Sequence, residues 1–145
     1  MSTRCVIRIK RGSVGSVDLY HHCDGYPEGV GVQLLATIER WFEGRPGGHE
    51  MDSEILANRL VKNEDGKLND DGFEITLAKH CDLEFYYEID FGDGDSLTKT
   101  KALAAVRCWS LRFDWDGGWK DYDELKEEEI NLFKVKTKMD EGAGA

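Results

Sequence analysis

From residue 4 the chain reads RCVIRIK, in which Cys5, Ile7 and Ile9 alternate with Arg4, Val6, Arg8 and Lys10. A period of two is that of a strand with one face buried. RGSVGS turns the chain and VDLYHHC returns it, so the first 23 residues read as a β-hairpin with a loop longer than the tight two-residue type. After DGYPEG, the apolar residues Leu34, Leu35, Ile38, Trp41 and Phe42 fall at i, i+1, i+4, i+7 and i+8. That stripe predicts an amphipathic helix from about Val30, ended by EGRPGG. MDSEILANRLVKN predicts a second, shorter helix with Met51, Ile55, Leu56 and Leu60 on one face and Asp52 or Ser53 as its cap.

A polar loop, EDGKLNDDG, leads into three further alternating segments. FEITLA sets Phe73, Ile75 and Leu77 inward against Glu74 and Thr76, and LEFYYEIDF sets Leu83, Phe85, Tyr87 and Ile89 against Glu84, Tyr86, Glu88 and Asp90. AVRCWSLRFDW opposes Trp109, Leu111, Phe113 and Trp115 to Cys108, Ser110 and Arg112. Each strand is expected to keep one wet face. YDELKEEEINLFKVK suits a helix and a short edge strand equally, and periodicity does not decide between them. Hairpin, helices and then strands predict an α+β fold: a single domain over residues 1–138, an antiparallel sheet with an N-terminal hairpin and two helices packed on one face. The small residues of TKMDEGAGA predict a flexible tail over 139–145.

With 145 residues, 40% of them hydrophobic, the chain suffices for one core. Basic residues interleave the apolar ones in MSTRCVIRIKRG, so neither a signal peptide nor a membrane span is expected, and the expected location is cytoplasmic. The dispersed Cys5, Cys23, Cys81 and Cys108 are then expected to be free thiols. A net charge of −10 disfavours direct binding to nucleic acid. The charge is uneven: residues 1–11 hold Arg4, Arg8, Lys10 and Arg11 without an acid, residues 82–95 hold six acids without a base, and DYDELKEEE at 121–129 is a second acidic block.

HHCD at 21–24 and KHCD at 79–82 offer His21 or His22, Cys23, His80 and Cys81, a mixed nitrogen and sulfur set of the kind zinc accepts. Neighbours on a strand point to opposite faces, so convergence on one ion requires backbone irregularity, and no metal or other cofactor is expected. For the same reason an adjacent histidine does not serve Cys23 or Cys81 as a base, and an ordinary buried thiol is the simpler reading. DFGDGDS at 90–96 lacks the ligand spacing of an EF-hand and reads as an acidic turn. In LYHHCDGYPEGVG, Asp24-Gly25 supplies turn chemistry, Pro27 fixes its own φ, and Gly29 and Gly31 let the chain swing into the helix. This corner staples strand to helix, with one of His21 and His22 buried and the other exposed. The alternative is a small enzyme or a ligand- or metal-binding domain with its site here, using His21 or His22 as acid or base, Asp24 to orient it and Tyr26 beside it.

MSTRCVIRIKRG followed by LYHHCDGYPEGVGVQLL resembles a family of small proteins, many encoded by bacteriophages and prophages. They begin with a Met-Ser-Thr-Arg strand and carry a Tyr-x-His-Trp-Asp-Gly-Tyr-Pro-x-Gly motif. The likeness covers about the first 42 residues, and Cys23 stands where the pattern usually has Trp. The family has no established enzymatic activity, and the resemblance implies a mobile-element setting, with the host cytoplasm as its location. Small acidic proteins there commonly inhibit host defence, anti-CRISPR proteins among them; a phage housekeeping or structural accessory is another reading. The expected partner is a host defence or nucleic-acid-binding protein with a basic surface, with no role for a membrane. The expected contact is the strand face of Glu84, Glu88 and Asp90 with the turn residues Asp93 and Asp95, and Tyr86 as its aromatic anchor. No catalytic residue is assigned.

Overall fold

The computed structural model describes residues 3–45, 49–62, 67, 71–77, 80, 82–93, 96–112 and 121–143. Six strands, β1 (Cys5–Lys10), β2 (Ser16–His21), β3 (Glu74–Ile75), β4 (Phe85–Asp90), β5 (Val106–Leu111) and β6 (Lys126–Ile130), form one sheet in the order β3-β2-β1-β4-β5-β6. Among the described residues five α-helices accompany them: α1 (Val32–Glu43), α2 (Ser53–Val61), α3 (Lys99–Ala104), α4 (Tyr122–Leu125) and α5 (Leu132–Ala143).

The fold is α+β, but the sheet is mixed, which corrects the antiparallel expectation: β1 and β4 run parallel, and the remaining neighbours are antiparallel. A parallel pair needs a long crossover, and the chain carrying α1, α2 and β3 supplies it. Asp52 caps α2, its carboxylate accepting from Ile55 N at 2.8 Å. A π-helical turn, Pro27–Gly31, joins the corner to α1.

Cys5, Ile7, Ile9, Leu19, Tyr87, Ile89 and Cys108 pack from the sheet against Leu34, Leu35 and Ile38 of α1 and Leu56 and Leu60 of α2. The opposite face is also partly buried. There Val6, Tyr86, Trp109 and Leu111 cluster with Leu83 and with Tyr122 of α4. The single wet face expected of β4 and β5 is thereby corrected, and Leu83 belongs to this second cluster instead of the first. Leaving such side chains in water would forgo about 1.5–3 kcal/mol apiece, which is what draws α4 onto this face.

β3 departs from its alternation as well. Phe73 is buried, but Ile75 is 64% and Leu77 100% exposed, because β3 is the outermost strand and the helical layer does not cover them. The ambiguous C-terminal stretch divides into α4, β6 and α5, and α5 carries residues 139–143 of the expected tail as helix. Phe113, Trp115 and Cys81 lie outside the described residues. Among the described residues no helix is long and apolar enough to cross a membrane.

Candidate functional site

β2 ends at His21, which pairs with Cys5 and therefore faces the helices. Its buried ring meets Cys23 O through Nδ1 and Asp71 O through Nε2 at 2.6 Å, with the Phe73 ring edge-on at 4.7 Å. The imidazole thus ties the corner to the segment before β3. His22 points the other way and is exposed, as the alternation requires.

The next residue but one, Asp24, holds φ at +57°, a left-handed conformation that is unusual for a residue with a Cβ. Its carbonyl accepts from Val30 N at 2.9 Å and its carboxylate from the Tyr26 hydroxyl at 3.1 Å. Gly25 N donates to Thr3 O at 2.9 Å, and Gly25 O accepts from the Tyr87 hydroxyl at 2.8 Å. A Cβ on Gly25 would sit 2.9 Å from both Cys5 Cβ and Thr3 O, closer than packed atoms tolerate. His21, Asp24 and Tyr26, offered above as a chemical site, are all engaged in holding the corner together. Burial pushes the Tyr87 hydroxyl well above its usual range, which keeps it a donor to Gly25.

Burial likewise raises the Cys5 thiol and pushes Cys108 up to about 12, so neither is the thiolate that nucleophilic chemistry requires. Cys23 is exposed and free. No group of three or more His, Cys, Asp or Glu that could hold one ion exists among the described residues.

The two His-Cys-Asp segments nevertheless meet, on the face away from α1. His80 stacks on Tyr20, with ring centroids 4.1 Å apart and planes within 5°, and Tyr20 Oη lies 2.9 Å from His22 Nδ1. Arg4 donates to the same Nδ1 at 3.4 Å and pairs with Asp82 at 2.5 Å, while His80 Nε2 lies 3.1 Å from Thr76 Oγ1. The His80–Tyr20 stack and the Arg4–Asp82 pair bring these segments together. Nothing in the spacing announces it, because it depends on where β3 pairs with β2.

The expected acidic contact is rearranged by the strand pairing. Tyr86 is fully buried, its ring centroid 5.9 Å from that of Trp109 and 5.3 Å from that of Tyr122, and is no surface anchor. Glu88 accepts from the Tyr86 hydroxyl at 2.8 Å and lies 3.9 Å from Lys10 Nζ and 3.8 Å from Lys126 Nζ. The register places Asp18, Arg8, Glu88 and Arg107 in one row of alternating sign across four strands. Arg8 holds Asp18 through Nε at 2.9 Å and Nη2 at 3.2 Å, over the Tyr122 ring.

Asp90 accepts from Gly12 N at 3.1 Å and Gly92 N at 2.9 Å, and Asp93 accepts from Ser13 N and from Ser13 Oγ at 3.0 Å. These two acids pin the β1–β2 loop to the end of β4. Glu84 is exposed, and Asp95 lies outside the described residues. A free acidic strand face over Glu84, Tyr86, Glu88 and Asp90 is therefore not what the fold presents. The neutralising cations come from β1, β5 and β6, remote in sequence.

Carboxylates are left without ion-pair partners among the described residues at the far sheet edge. Glu124 of α4 and Glu127 and Glu128 of β6 are exposed and unpaired in this sense. Their neighbours differ: Asp123 meets Lys126 at 2.6 Å and Glu129 meets Arg107 at 2.6 Å. Each hydrogen bond from its cation holds the carboxyl below the usual range. Comparison of the chain with family models, with curated proteins and with solved structures finds no match in any of the three.

Proposed function

We infer that this protein is a binding module that engages a basic protein surface through its α4–β6 edge. One observation carries the reading: Glu124 of α4 and Glu127 and Glu128 on β6, the outermost strand, stand exposed without cation partners among the described residues. A negative edge steers a cationic partner toward it and competes with phosphate for lysine and arginine clusters. Acids on an edge strand also discourage edge-to-edge aggregation, which explains Glu127 and Glu128 but not the unpaired Glu124 of α4 beside them. The likeness of the N-terminal residues to phage and prophage proteins supports a nucleic-acid-handling host protein of a defence system as the partner, with inhibition by occupancy.

The test uses the whole chain, immobilised, to capture a partner from host lysate, followed by titration with that partner once purified. Glu124→Lys, Glu127→Lys and Glu128→Lys together should abolish capture, and rising salt should weaken it in the parent, since the Debye length falls from about 10 Å at 0.1 M to about 3 Å at 1 M. A triple variant that binds as the parent does overturns the assignment. Glu84→Lys, on the strand face first considered, is the control expected to bind normally.

A further inference from the structure

A cavity of about 310 Å³ lies between the β1–β2 hairpin and α2. Ile9, Val14, Val17 and Ala57 give it apolar walls, and Arg11 and Glu54 add the charged groups. Arg11 Nη1 reaches Glu54 Oε1 at 3.3 Å, a long contact to a carboxylate that is itself 75% exposed. Arg11 Nε is buried and has no hydrogen-bond partner, the only such side-chain nitrogen or oxygen among the described residues.

A guanidinium presents two forks to an oxyanion, the pair of terminal nitrogens or the Nε and Nη2 edge. Glu54 touches Nη1, so the Nε edge is the one still lacking an acceptor. Arg11 lines the cavity and its side chain is 37% exposed, so the guanidinium that carries this unsatisfied edge borders the space. The wall it belongs to is already in place, because Asp93 holds the loop at Ser13. Asp52 caps α2, so the helix end has its own acceptor and is not the attracting group.

We propose that this cavity binds a small carboxylic acid with an aliphatic or aromatic body, its carboxylate on the Nε edge of Arg11. The volume stands at the lower end of ligand cavities, room for a body of about four to eight carbons. A phosphate dianion suits it poorly: one guanidinium already shared with Glu54 faces it, in a chain of net charge −10, and the walls are apolar. A monoanion with an apolar body matches both features. This site is independent of the acidic edge, and its test involves no protein partner.

The probe is 4-methylpentanoate, titrated into isotopically labelled full-length protein while amide resonances are followed, with 4-methylpentanamide as the uncharged match. The acid should give saturable shifts at Arg11, Val14, Val17 and Ala57 and bind about tenfold more tightly than the amide. Arg11→Met should remove that preference while leaving the spectrum dispersed. Glu54→Gln, which takes away the competing carboxylate, should tighten binding of the acid several-fold. Equal binding of acid and amide, shifts centred elsewhere, or weaker binding in Glu54→Gln would each overturn the proposal. A peptide ending in a free leucine carboxylate is the third probe. Tighter binding of that peptide than of the free acid would assign the cavity to a chain terminus and overturn the small-acid reading.

Discussion

Tyr87, at the centre of β4, donates its hydroxyl to the carbonyl of Gly25, 62 residues earlier, at 2.8 Å. This bond is what makes the Asp24-Gly25 corner part of the core. The sheet brings Tyr87 beside Ile7 of β1, and the chain leaving β2 passes over that neighbourhood with no side chain at Gly25 to keep the backbones apart.

Tyr87→Phe should therefore cost about 1–3 kcal/mol, since it leaves a buried carbonyl without a donor while preserving the ring. Gly25→Val should cost more, because the added carbons meet Cys5 and Thr3 backbone that cannot retreat. Urea denaturation of both variants measures this. A Tyr87→Phe protein as stable as the parent would show that water replaces the hydroxyl and that the corner stands without it.

The buried thiols give a chemical check on the same packing. Cys5 and Cys108 sit on the helix-facing side of the sheet, and burial raises both thiols, so at neutral pH they stay protonated and shielded. Cys23 is exposed. In a Cys81→Ser background, a thiol-reactive chromogenic disulfide should titrate one group rapidly in native buffer and two more only after denaturant is added. Rapid reaction of all three would mean that the centre of the sheet opens far more readily than its packing implies.

Much of this architecture was legible in the alternation of residues, and the failures have physical causes. Cys5, Ile7 and Ile9 announce β1, and Leu34, Leu35 and Ile38 announce α1, because each set covers one face of its element and all are buried. Whether β4 runs parallel or antiparallel to β1 leaves no such mark, for both pairings share a period of two. The burial of Tyr86 was missed because tyrosine beside glutamate reads as a wet face. Trp109 and Leu111, in register with that face, were the signal that something must cover it. The α3 helix was not foreseen, since KTKALA buries only Ala102 and shows no stripe. The histidine corner was placed correctly as a turn with one ring in and one out, whereas the stacking of His80 on Tyr20 rests on pairing between strands more than fifty residues apart, beyond the reach of local pattern.

Asp93 supplies the pH dependence. Hydrogen bonds from the Ser13 backbone N–H and then from its hydroxyl hold the carboxyl below the usual aspartate range. A folded-state value below the unfolded one means that the group stabilises the fold fully above the unfolded value, about 4, and that this contribution is lost as pH falls through the folded value. Asp93→Asn should be less stable than the parent at pH 6, with the gap closing as pH drops below about 4. Thermal melts of the pair across that range decide it. A gap that stays constant or widens in acid would mean that the loop at Ser13 is held by something other than the ionised carboxylate.

The final prediction separates a carboxylate that belongs to the fold from those that face a partner. Glu88 receives the Tyr86 hydroxyl and stands between Lys10 and Lys126, with its side chain only 17% exposed. Replacing it with lysine would place a third cation among two others and strip Tyr86 of its acceptor. Crowding a third half-buried cation against Lys10, which loses its counter-ion, and Lys126, which keeps Asp123, costs about 3–5 kcal/mol, a large part of the stability of a domain this size. Glu88→Gln keeps an acceptor for Tyr86 and should cost about 1–2 kcal/mol. Glu124→Lys, Glu127→Lys and Glu128→Lys each remove only an exposed charge from a chain of net charge −10, so each should stay within about 0.5 kcal/mol of the parent. Urea midpoints of the five single variants test the division directly. Were Glu88→Lys to fold as stably as Glu128→Lys, the alternating row of Asp18, Arg8, Glu88 and Arg107 would carry no weight in the fold, and β4 would return as a candidate contact face.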